Sequence, residues 1–577
     1  MKKILIVTAI AAAGAGAYFV NQQLQNSSAA YNVLDYVPAD TPLLSAQLKP
    51  FPLKDYLNSS PQLKAAEDQS ALQNIAVEGD PQSKFFLSVA KSYQTSLPDT
   101  ELFLNTFGLA DNIRAYFYML GALPVLKIEV ENSQAIWDLL DKAEQESGYS
   151  HRLGKIQETE YRAYRLNDPA EAESTELIIS QNNGLLTVTL DSSLNKESLL
   201  TSALGLLKAE NPITDSGILE EIKSKYDFND QNIAFINHQE IIKGLTTVNA
   251  NQLARHLSLM FPQQDQANPL SVFRTAECKA ELTTIANNWP RTVFGYTNLS
   301  VTSNQSTMDL STVIESKNHT IINALQSLRG YIPQYTQNIQ NNVFALGFGV
   351  DFNQLSSAAA TIIGDLKTPS YQCAPLQEMQ TSLQQQGQNY SMMLGMAGGV
   401  ANGLKGFSLA VLDYSMSQNG DKQALESIDA LLSYSADNPL TLLNSLKMFS
   451  PDLQQLQLPA DGTAVDLSEF PLIPKGLNIA PKMAVKGNHL VIYNGEKSEQ
   501  QADLLSSEAL TKNGIFTFSF DFKRMFDPII TAAELSGEKI PSEAMFLQDY
   551  NMRMKFDVDI NQQGIVFKSH VSNKVEK

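Results

Sequence analysis

The sequence predicts an α+β protein in which two tandem related domains follow an N-terminal apolar helix. Short alternating apolar runs around turn residues indicate antiparallel strands with one solvated face. Segments with apolar residues at helical spacing lie between these runs, and the same order of elements recurs in the second half of the chain. We therefore expect each domain to be a mostly antiparallel sheet with helices packed on one face.

The first element is an export or anchoring segment within residues 1–30. Lys2 and Lys3 precede an apolar run from Ile4 to Val20, which is the pattern of an export signal. Residues 4–20 are expected to stay as an inner-membrane anchor. The alternative is cleavage near Ala15-Gly16-Ala17, which would release a secreted protein. Both alternatives place the chain from Asn21 onward outside the cytoplasm.

Two hairpins gave the first sign of an internal repeat. The stretch ELIISQNNGLLTVTLD (Glu176 to Asp191) has two apolar runs around Asn182-Asn183-Gly184, a strong hairpin signal. The stretch KMAVKGNHLVIYNG (Lys482 to Gly495) has the same form. Both are followed by segments with helical spacing.

Other elements recur in the same order around these hairpins. We expect a first copy over residues 31–316, a connecting helix over 317–340 and a second copy over 341–577. The paired segments are PLLSAQLKPFPLKDYL (from Pro42) with NVFALGFGVDFNQL (from Asn342), GLADNIRAYF (from Gly108) with GVANGLKGFS (from Gly399), and the predicted helices SQAIWDLLDKAEQ (from Ser133) and KQALESIDALLSY (from Lys422).

The charge balance excludes one class of partner. The chain has 577 residues and a formal net charge of −19. A negative surface repels phosphate backbones, so we expect no nucleic-acid partner. Length alone predicts several domains rather than one core.

The two cysteines, Cys278 and Cys373, are expected to form a disulfide, because an exported chain meets an oxidising compartment. The alternative is two free buried thiols. A bond would close a loop of about 95 residues and would restrict the angle between the two predicted domains.

A search for catalytic and metal-binding patterns predicts no catalytic residues, no metal and no cofactor. The Walker, G-x-S-x-G, H-E-x-x-H and G-x-G-x-x-G motifs are missing from the sequence. Ser193 and Lys196 match S-x-x-K, but its companion motifs are missing. The six histidines are not at metal-ligand spacing to one another or to a cysteine.

The segment from Met392 to Gly406 has the most unusual composition. Gly395, Gly399 and Gly403 recur every four residues, which places them on one face of a helix. With Met392 and Met396 they form a predicted apolar contact face for a ligand or partner. The alternative is tight packing of this helix on a sheet.

The stretch YVPADTPLLSAQL (from Tyr36), with Pro38-Ala39-Asp40-Thr41, resembles the start of a bacterial envelope family described as a domain of unknown function. The resemblance implies a periplasmic location and long α+β repeats, and it supplies no catalytic residues. We expect a non-enzymatic periplasmic protein that binds a lipid, a lipoprotein or an envelope protein. The alternatives are an envelope hydrolase with a site at the domain interface and a structural spacer.

Overall fold

The computed structural model describes residues 32–60, 80–168, 170–262, 268–419, 422–448, 451–471, 473, 479–536 and 551–575. The predicted N-terminal apolar helix lies outside these residues. The chain divides into two compact units, one ending at Ser311 and one beginning at Thr312. Helices alternate with strands that pair antiparallel in the register pairs of both units, which confirms the α+β class.

The first unit contains β1 to β11 and most of β12, with helices α1 to α9. Its strands are β1 (Leu43–Gln47), β2 (Phe51–Pro52), β3 (Asn112–Ile113), β4 (Ala115–Leu120), β5 (Leu123–Glu129), β6 (Arg152–Ile156), β7 (Thr159–Arg165), β8 (Thr175–Asn182), β9 (Leu185–Ser192), β10 (Asn232–Asn237), β11 (Arg291–Thr302) and β12 (Gln305–Glu315). Its helices are α1 (Leu53–Ser59), α2 (Pro81–Ser96), α3 (Thr100–Phe107), α4 (Ser133–Ser147), α5 (Glu197–Ala203), α6 (Ile218–Tyr226), α7 (His238–Thr246), α8 (Gln252–Met260) and α9 (Ala276–Asn288).

The main sheet of the first unit has the order β6-β7-β8-β9-β5-β4-β1-β10-β11. The first strand in sequence therefore lies inside the sheet, and later strands are added on both sides of it. The predicted hairpin at Glu176 is confirmed as β8 and β9. Asn183 and Gly184 form its turn with φ values of 53° and 74°, the left-handed pair that this turn requires.

Helices pack on both faces of this sheet, so the expected single helical face is wrong. Leu177 and Ile179 of β8 pack with Phe85 of α2 and Leu140 of α4. Ile178, on the opposite face, packs with residues of α5. Successive side chains of β8 are therefore buried in turn on both sides, and no solvated face remains in this part of the sheet.

The second unit contains β13 to β21 with helices α10 to α15. Its strands are β13 (Phe344–Phe348), β14 (Leu404–Asn419), β15 (Lys422–Ala436), β16 (Val465–Asp466), β17 (Lys482–Lys486), β18 (His489–Asn494), β19 (Phe516–Asp521), β20 (Met552–Asn561) and β21 (Gly564–Lys574). Its helices are α10 (His319–Ser327), α11 (Phe352–Leu366), α12 (Ala374–Val400), α13 (Pro439–Lys447), α14 (Glu496–Leu505) and α15 (Phe522–Ser536).

The sheet of the second unit has the order β16-β17-β18-β15-β14-β13-β19-β20-β21. The predicted hairpin at Lys482 is confirmed as β17 and β18. The predicted helix from Lys422 to Tyr434 is wrong, because this segment is strand β15. Its apolar spacing suits a helix, but pairing with β14 on one side and β18 on the other supplies its backbone hydrogen bonds and overrides the local pattern.

Two further expectations need correction. In the segment 317–340, the helix α10 covers only His319–Ser327, and a 3-10 turn follows at Gln334–Gln337. The match of Gly108 with Gly399 also fails. Gly108 ends α3 with φ 64° and lies against the backbone of Asn132, whereas Gly399 is an exposed residue inside α12.

We expect Gly406→Ala to destabilise the second unit. A Cβ on Gly406 of β14 would lie 2.2 Å from the carbonyl oxygen of Tyr331 and 2.6 Å from that of Phe348. Because both atoms belong to the backbone, relief requires strand movement that costs about 1–3 kcal/mol. Gly364→Ala is the matched control, since a Cβ there meets nothing within 4 Å in helix α11, and it should add up to about 1 kcal/mol. Urea unfolding measures both, and equal effects would contradict the packing seen at Gly406.

Candidate functional site

The most distinctive surface among the described residues is a set of apolar side chains on one face of the second sheet. The register aligns them in three rows that cross β20, β19, β13, β14 and β15. We call these fifteen residues the apolar array: Val558, Phe516, Phe348, Phe407 and Tyr434; Phe556, Phe518, Leu346, Leu409 and Leu432; and Met554, Phe520, Phe344, Val411 and Ala430.

Burial on this sheet is reversed from the usual pattern. Every member of the apolar array is partly exposed, and Leu409, on the central row, keeps 37% of its surface accessible. In β13, β14, β15 and β19 most of the alternate residues are buried. Several of these are small or polar, among them Thr517, Gly347, Ser408 and Ser433. Large apolar groups normally occupy the more buried face, so a contiguous open set of them indicates a contact site.

The rings of the array contact one another. Phe348 stacks on Phe407 with centroids 4.8 Å apart, and it meets Phe516 edge-on at 5.0 Å. Phe344 and Phe518 make a further edge contact at 5.6 Å. Such geometries stabilise the ring positions beyond simple burial, so the rings of the array are held in place by one another.

The opposite face of the sheet is closed by Tyr335 and by helix α14. The hydroxyl of Tyr335 lies 2.7 Å from Oγ of Ser408 and 3.3 Å from Oγ of Ser433, and the two serine oxygens are 2.7 Å apart. Burial raises the pKa of Tyr335 to about 12, against the opposing effect of the two serines. Leu505 of α14 packs in the same cluster. Small strand residues let these covering groups approach closely.

The two ends of the array differ in chemistry. At one end α15 continues the aromatic surface. The ring centroids of Phe522 and Phe526 lie 4.5 Å and 6.3 Å from that of Phe520. At the other end Tyr434 of the array packs against a cluster of Leu404, Ala436 and Leu442. Nearby, Lys405 lies in a β-bulge between Leu404 and Gly406 and contacts Asp351 at 2.9 Å and Asp437 at 3.1 Å.

The cluster around Lys405 carries charges of both signs. Burial lowers the pKa of Lys405, but its hydrogen bonds to the two aspartates outweigh that effect and leave the pKa raised. Lys512 adds a second cation 3.5 Å from Asp351. Asp437 and Lys512 are the exposed members of this cluster, with 55% and 49% of their side chains accessible.

The three glycines of the predicted apolar contact face do not all lie on one helix face. The side chains of Met392 and Met396 lie outside the described part of the structure. Gly395 and Gly399 are exposed on α12, and a Cβ on either would meet nothing within 4 Å. Gly403 follows the end of α12 with φ 82°, so it does not share their helical face. Its place resembles that of Gly108, which also ends a helix before a strand.

The predicted disulfide is present, and both Cys278 and Cys373 are bonded. Each is buried, with Cys278 at the start of α9 and Cys373 immediately before α12. The bond confirms the prediction made from a single pair of cysteines in a chain with an export signal.

The richest cluster of titratable groups is in the first unit. Glu144 accepts a hydrogen bond from the Tyr164 hydroxyl at 2.7 Å and lies 2.6 Å from Nδ1 of His151. Arg162 pairs with Asp141 at 2.6 Å. Tyr164 is fully buried, so these groups connect α4 to β7 and satisfy one another. This is the arrangement of a structural network rather than of a site open to a substrate.

A serine and a histidine also meet in the second unit. Oγ of Ser435 lies 2.8 Å from Nδ1 of His489, and both residues are 0% exposed. Burial is the main effect on His489 and lowers its pKa, which favours a neutral ring. The pair has the residue types of a nucleophile and base, but it is sealed inside the protein and offers no path to a substrate.

Among the described residues, no helix has both the length and the apolar character that crossing a bilayer requires. In the same part of the chain no group of histidine, cysteine, aspartate or glutamate residues is arranged to hold a metal ion. These two observations apply only to the described ranges, which begin at residue 32.

Comparison with protein-family models, with curated proteins and with solved structures finds no significant match for this chain. The resemblance to an envelope family therefore remains one of plan and of Pro38-Ala39-Asp40-Thr41.

Lys127 is expected to make stability depend on pH. It is 1% exposed, and its Nζ donates to Oγ1 of Thr187 at 2.8 Å. Burial lowers its pKa from 10.5 to about 7. The unfolded chain therefore binds more protons than the folded protein between these values, and stability rises with pH across that window.

Replacing the buried amine with a methyl-ended chain should remove this slope. We expect Lys127→Met to raise the free energy of unfolding at pH 7 by about 1–3 kcal/mol, the usual cost of burying such a polar group. Lys142→Met is the control, since that side chain is 65% exposed, and it should change stability by less than about 0.5 kcal/mol. Urea unfolding at several pH values from 7 to 9 measures the free energy of unfolding of both variants and its slope with pH. A slope that survives in Lys127→Met would contradict the assignment.

Proposed function

We propose that this protein is a non-enzymatic binding protein of the bacterial periplasm, held at the inner membrane by residues 4–20, and that the apolar array is its binding surface. The ligand is a lipid, a lipoprotein or an apolar segment of an envelope protein. Binding covers the phenylalanine rings of the array and removes their surface from water. That burial supplies the main driving force.

The observation that supports this proposal is the reversed burial of the second sheet. A face of Phe344, Leu346, Phe348, Leu409 and Phe518 that stays partly open is costly in water unless another molecule covers it. Its rings are ordered by their mutual contacts, so little conformational entropy is lost on binding. The sealed Ser435–His489 pair and the internally satisfied cluster at Glu144 give no specific reason to prefer a hydrolase.

We also propose that the two units are tandem related domains. The supporting observation is strand order. In the first unit, β8-β9-β5-β4-β1-β10-β11 are neighbours in that order. In the second, β17-β18-β15-β14-β13-β19-β20 follow the same order of appearance. The chain positions of the helices agree. Helix α4 follows β5 and precedes β8 along the chain, and α13 likewise follows β15 and precedes β17.

This correspondence assigns the array to the second domain specifically. The equivalent row of the first unit runs through Phe294, Ala234, Ser45, Phe117 and Leu126. Ser45 and Ala234 occupy its centre, where the second unit carries phenylalanine and leucine. The two copies then share a framework and differ in what that face can bind.

The binding surface can be tested with the fluorescent dye 1-N-phenylnaphthylamine, which brightens in apolar sites. We expect the full chain to bind it and Leu409→Asn to weaken binding about tenfold, a change that corresponds to ~1.4 kcal/mol. The control is Leu504→Asn on α14, where the leucine is 58% exposed but outside the array. Equal affinity of both variants and the wild type would overturn the proposal, provided that circular dichroism shows intact folding.

The membrane anchor predicts a specific N-terminus. After expression in a Gram-negative host, the full chain should remain with the membrane fraction after alkaline extraction and should retain residues 4–20 on N-terminal sequencing, because the apolar run stays in the bilayer. A matched control replaces residues 1–30 with a cleavable signal and should yield soluble periplasmic protein. A mature chain that begins at Tyr18 or Tyr31 would show that cleavage, not anchoring, is the fate of this segment.

A further inference from the structure

A small group of apolar side chains is exposed at one end of the first unit. The described residues of this unit include six exposed large apolar side chains: Leu102, Leu153, Leu207, Leu259, Met260 and Val272. The last three come close together, because the buried amide of Asn268 donates to the carbonyl oxygens of Phe261 and Pro262. These bonds connect the end of α8 to the 3-10 turn that contains Val272. We call Leu259, Met260 and Val272 the apolar tip.

The apolar tip lies at the end of the sheet where the chain enters the unit. The hydroxyl of Thr41 donates to the backbone near the end of β4, at 2.8 Å. Asp40 accepts a hydrogen bond at 2.9 Å from the backbone N–H of Gln252, the first residue of α8. The backbone N–H of Ala122 donates to Nδ1 of His256 at 3.1 Å, so α8 packs on the turn between β4 and β5. The entry segment therefore holds the helix that carries the tip.

The proposed anchor brings this end of the unit near a bilayer. The anchor ends at Val20, and the described chain begins at Asn32. The eleven residues between them can span at most about 40 Å. A surface attached in this way meets the bilayer at a local concentration on the order of millimolar. Contacts that are too weak to recruit a free protein are therefore sufficient to dock this one.

The chemistry of the tip suits the interfacial layer of a phospholipid bilayer. Leu259 and Met260 are 43% and 54% exposed at the end of α8. Arg255 lies one turn before Leu259 and on the same side of the helix. Its guanidinium bonds to neutral oxygens of Gln252 and Asn249, so its charge stays available for a lipid phosphate. An interfacial helix inserts its apolar side chains while arginine reaches the headgroups.

A folded protein is the weaker alternative as the occupant of this surface. A standard protein interface takes roughly 20–30 residues from each partner, whereas the tip has three apolar side chains. A bilayer needs no surface of matching shape, because its apolar region accepts any apolar side chain that lies beside a polar one.

From these observations we propose that the apolar tip inserts into the interfacial layer of the membrane that holds residues 4–20, and so docks the first unit on the bilayer surface. This inference rests on the proposed membrane anchor and is independent of the apolar array. It adds a second membrane contact, and it orients the first unit with α8 towards the lipid.

The test uses the full chain, reconstituted through its N-terminal segment into vesicles of dioleoyl-phosphatidylcholine. The polarity-sensitive fluorophore NBD is attached to Met260→Cys. Because Cys278 and Cys373 are both bonded in the disulfide, the introduced thiol is the one that reacts. We expect a blue-shifted emission that is quenched by phosphatidylcholine with a doxyl group on the upper part of its acyl chain. Emission as in water, without quenching, would overturn the inference.

The matched control carries NBD at Leu102→Cys, at the opposite end of the same sheet. Leu102 is 49% exposed, close to the value for Met260. Its neighbour Glu101 pairs with Lys54 at 2.7 Å, and the backbone N–H of Lys54 donates to Asp111 just before β3. Strand β4 separates this point from the turn under α8 by about 17 Å. The control probe should emit as in water, and equal quenching at both sites would contradict an oriented contact.

A double replacement tests the tip itself in the protein labelled at residue 260. Leu259→Asn with Val272→Asn removes the other two apolar members and should lower the ratio of docked to free protein about tenfold, which corresponds to ~1.4 kcal/mol. Leu102→Asn should leave the quenching unchanged. If circular dichroism shows intact folding and the double variant is quenched like the parent, the tip is not the contact and the inference fails.

Flotation of the vesicles separates this outcome from failure of the proposed anchor. If the protein floats with the vesicles after an alkaline wash while the probe at residue 260 stays in water, the anchor stands and only the present inference fails. If the wash releases the protein from the vesicles, the anchor fails, and the inference fails with it because the attachment on which it rests is missing.

Discussion

The packing of Tyr335 against Ser408 and Ser433 determines which face of the second sheet is open. A strand presents alternate residues to its two faces, so the small residues that admit Tyr335 and α14 on one side leave the large ones on the other. A leucine or phenylalanine at Ser408 or Ser433 would leave no space for the tyrosine ring, whose hydroxyl lies within hydrogen-bond distance of both serines. The buried hydroxyl cluster and the open phenylalanine surface are thus two consequences of one alternating pattern.

The sheet of the first unit also buries polar groups. There Lys127 and Thr187 form the buried polar contact, and they lie on neighbouring strands β5 and β9. Lys127, whose hydrogen-bond partner among the described residues is a hydroxyl, is tolerated because burial lowers its pKa to about 7, so the neutral amine exists at moderate pH. Both sheets therefore bury polar groups under their covering elements, and only the second combines this with large apolar residues on the other side.

Sequence patterns were sufficient for the elements that depend on local chemistry. The turn at Asn183-Gly184 requires left-handed residues, so both strands of that hairpin could be placed. They failed where pairing between strands distant in sequence determines the secondary structure. Strand β15 has the apolar spacing of a helix, but it forms a strand because it pairs with β14 and β18. The array was missed for a different reason. The alternation in Phe516, Phe518 and Phe520 is visible in the sequence, but a pattern of large and small residues is normally interpreted as apolar side inward. Only the coordinates of Tyr335 and α14 show that the opposite side is the covered one.

The energetic cost of the open array limits how it can operate. The array covers five strands about 4.8 Å apart and three rows two residues apart, a footprint of about 270 Å². Leaving that apolar surface in water forgoes about 7 kcal/mol of burial, which is comparable to the 5–15 kcal/mol that stabilises a typical domain. A domain that depended on its ligand for that amount would unfold whenever the site emptied. The ring contacts around Phe348 and the hydroxyl cluster below it hold the sheet together without a ligand. The surface is therefore ordered before it is covered, and most of the free energy of covering it remains available for binding rather than for folding.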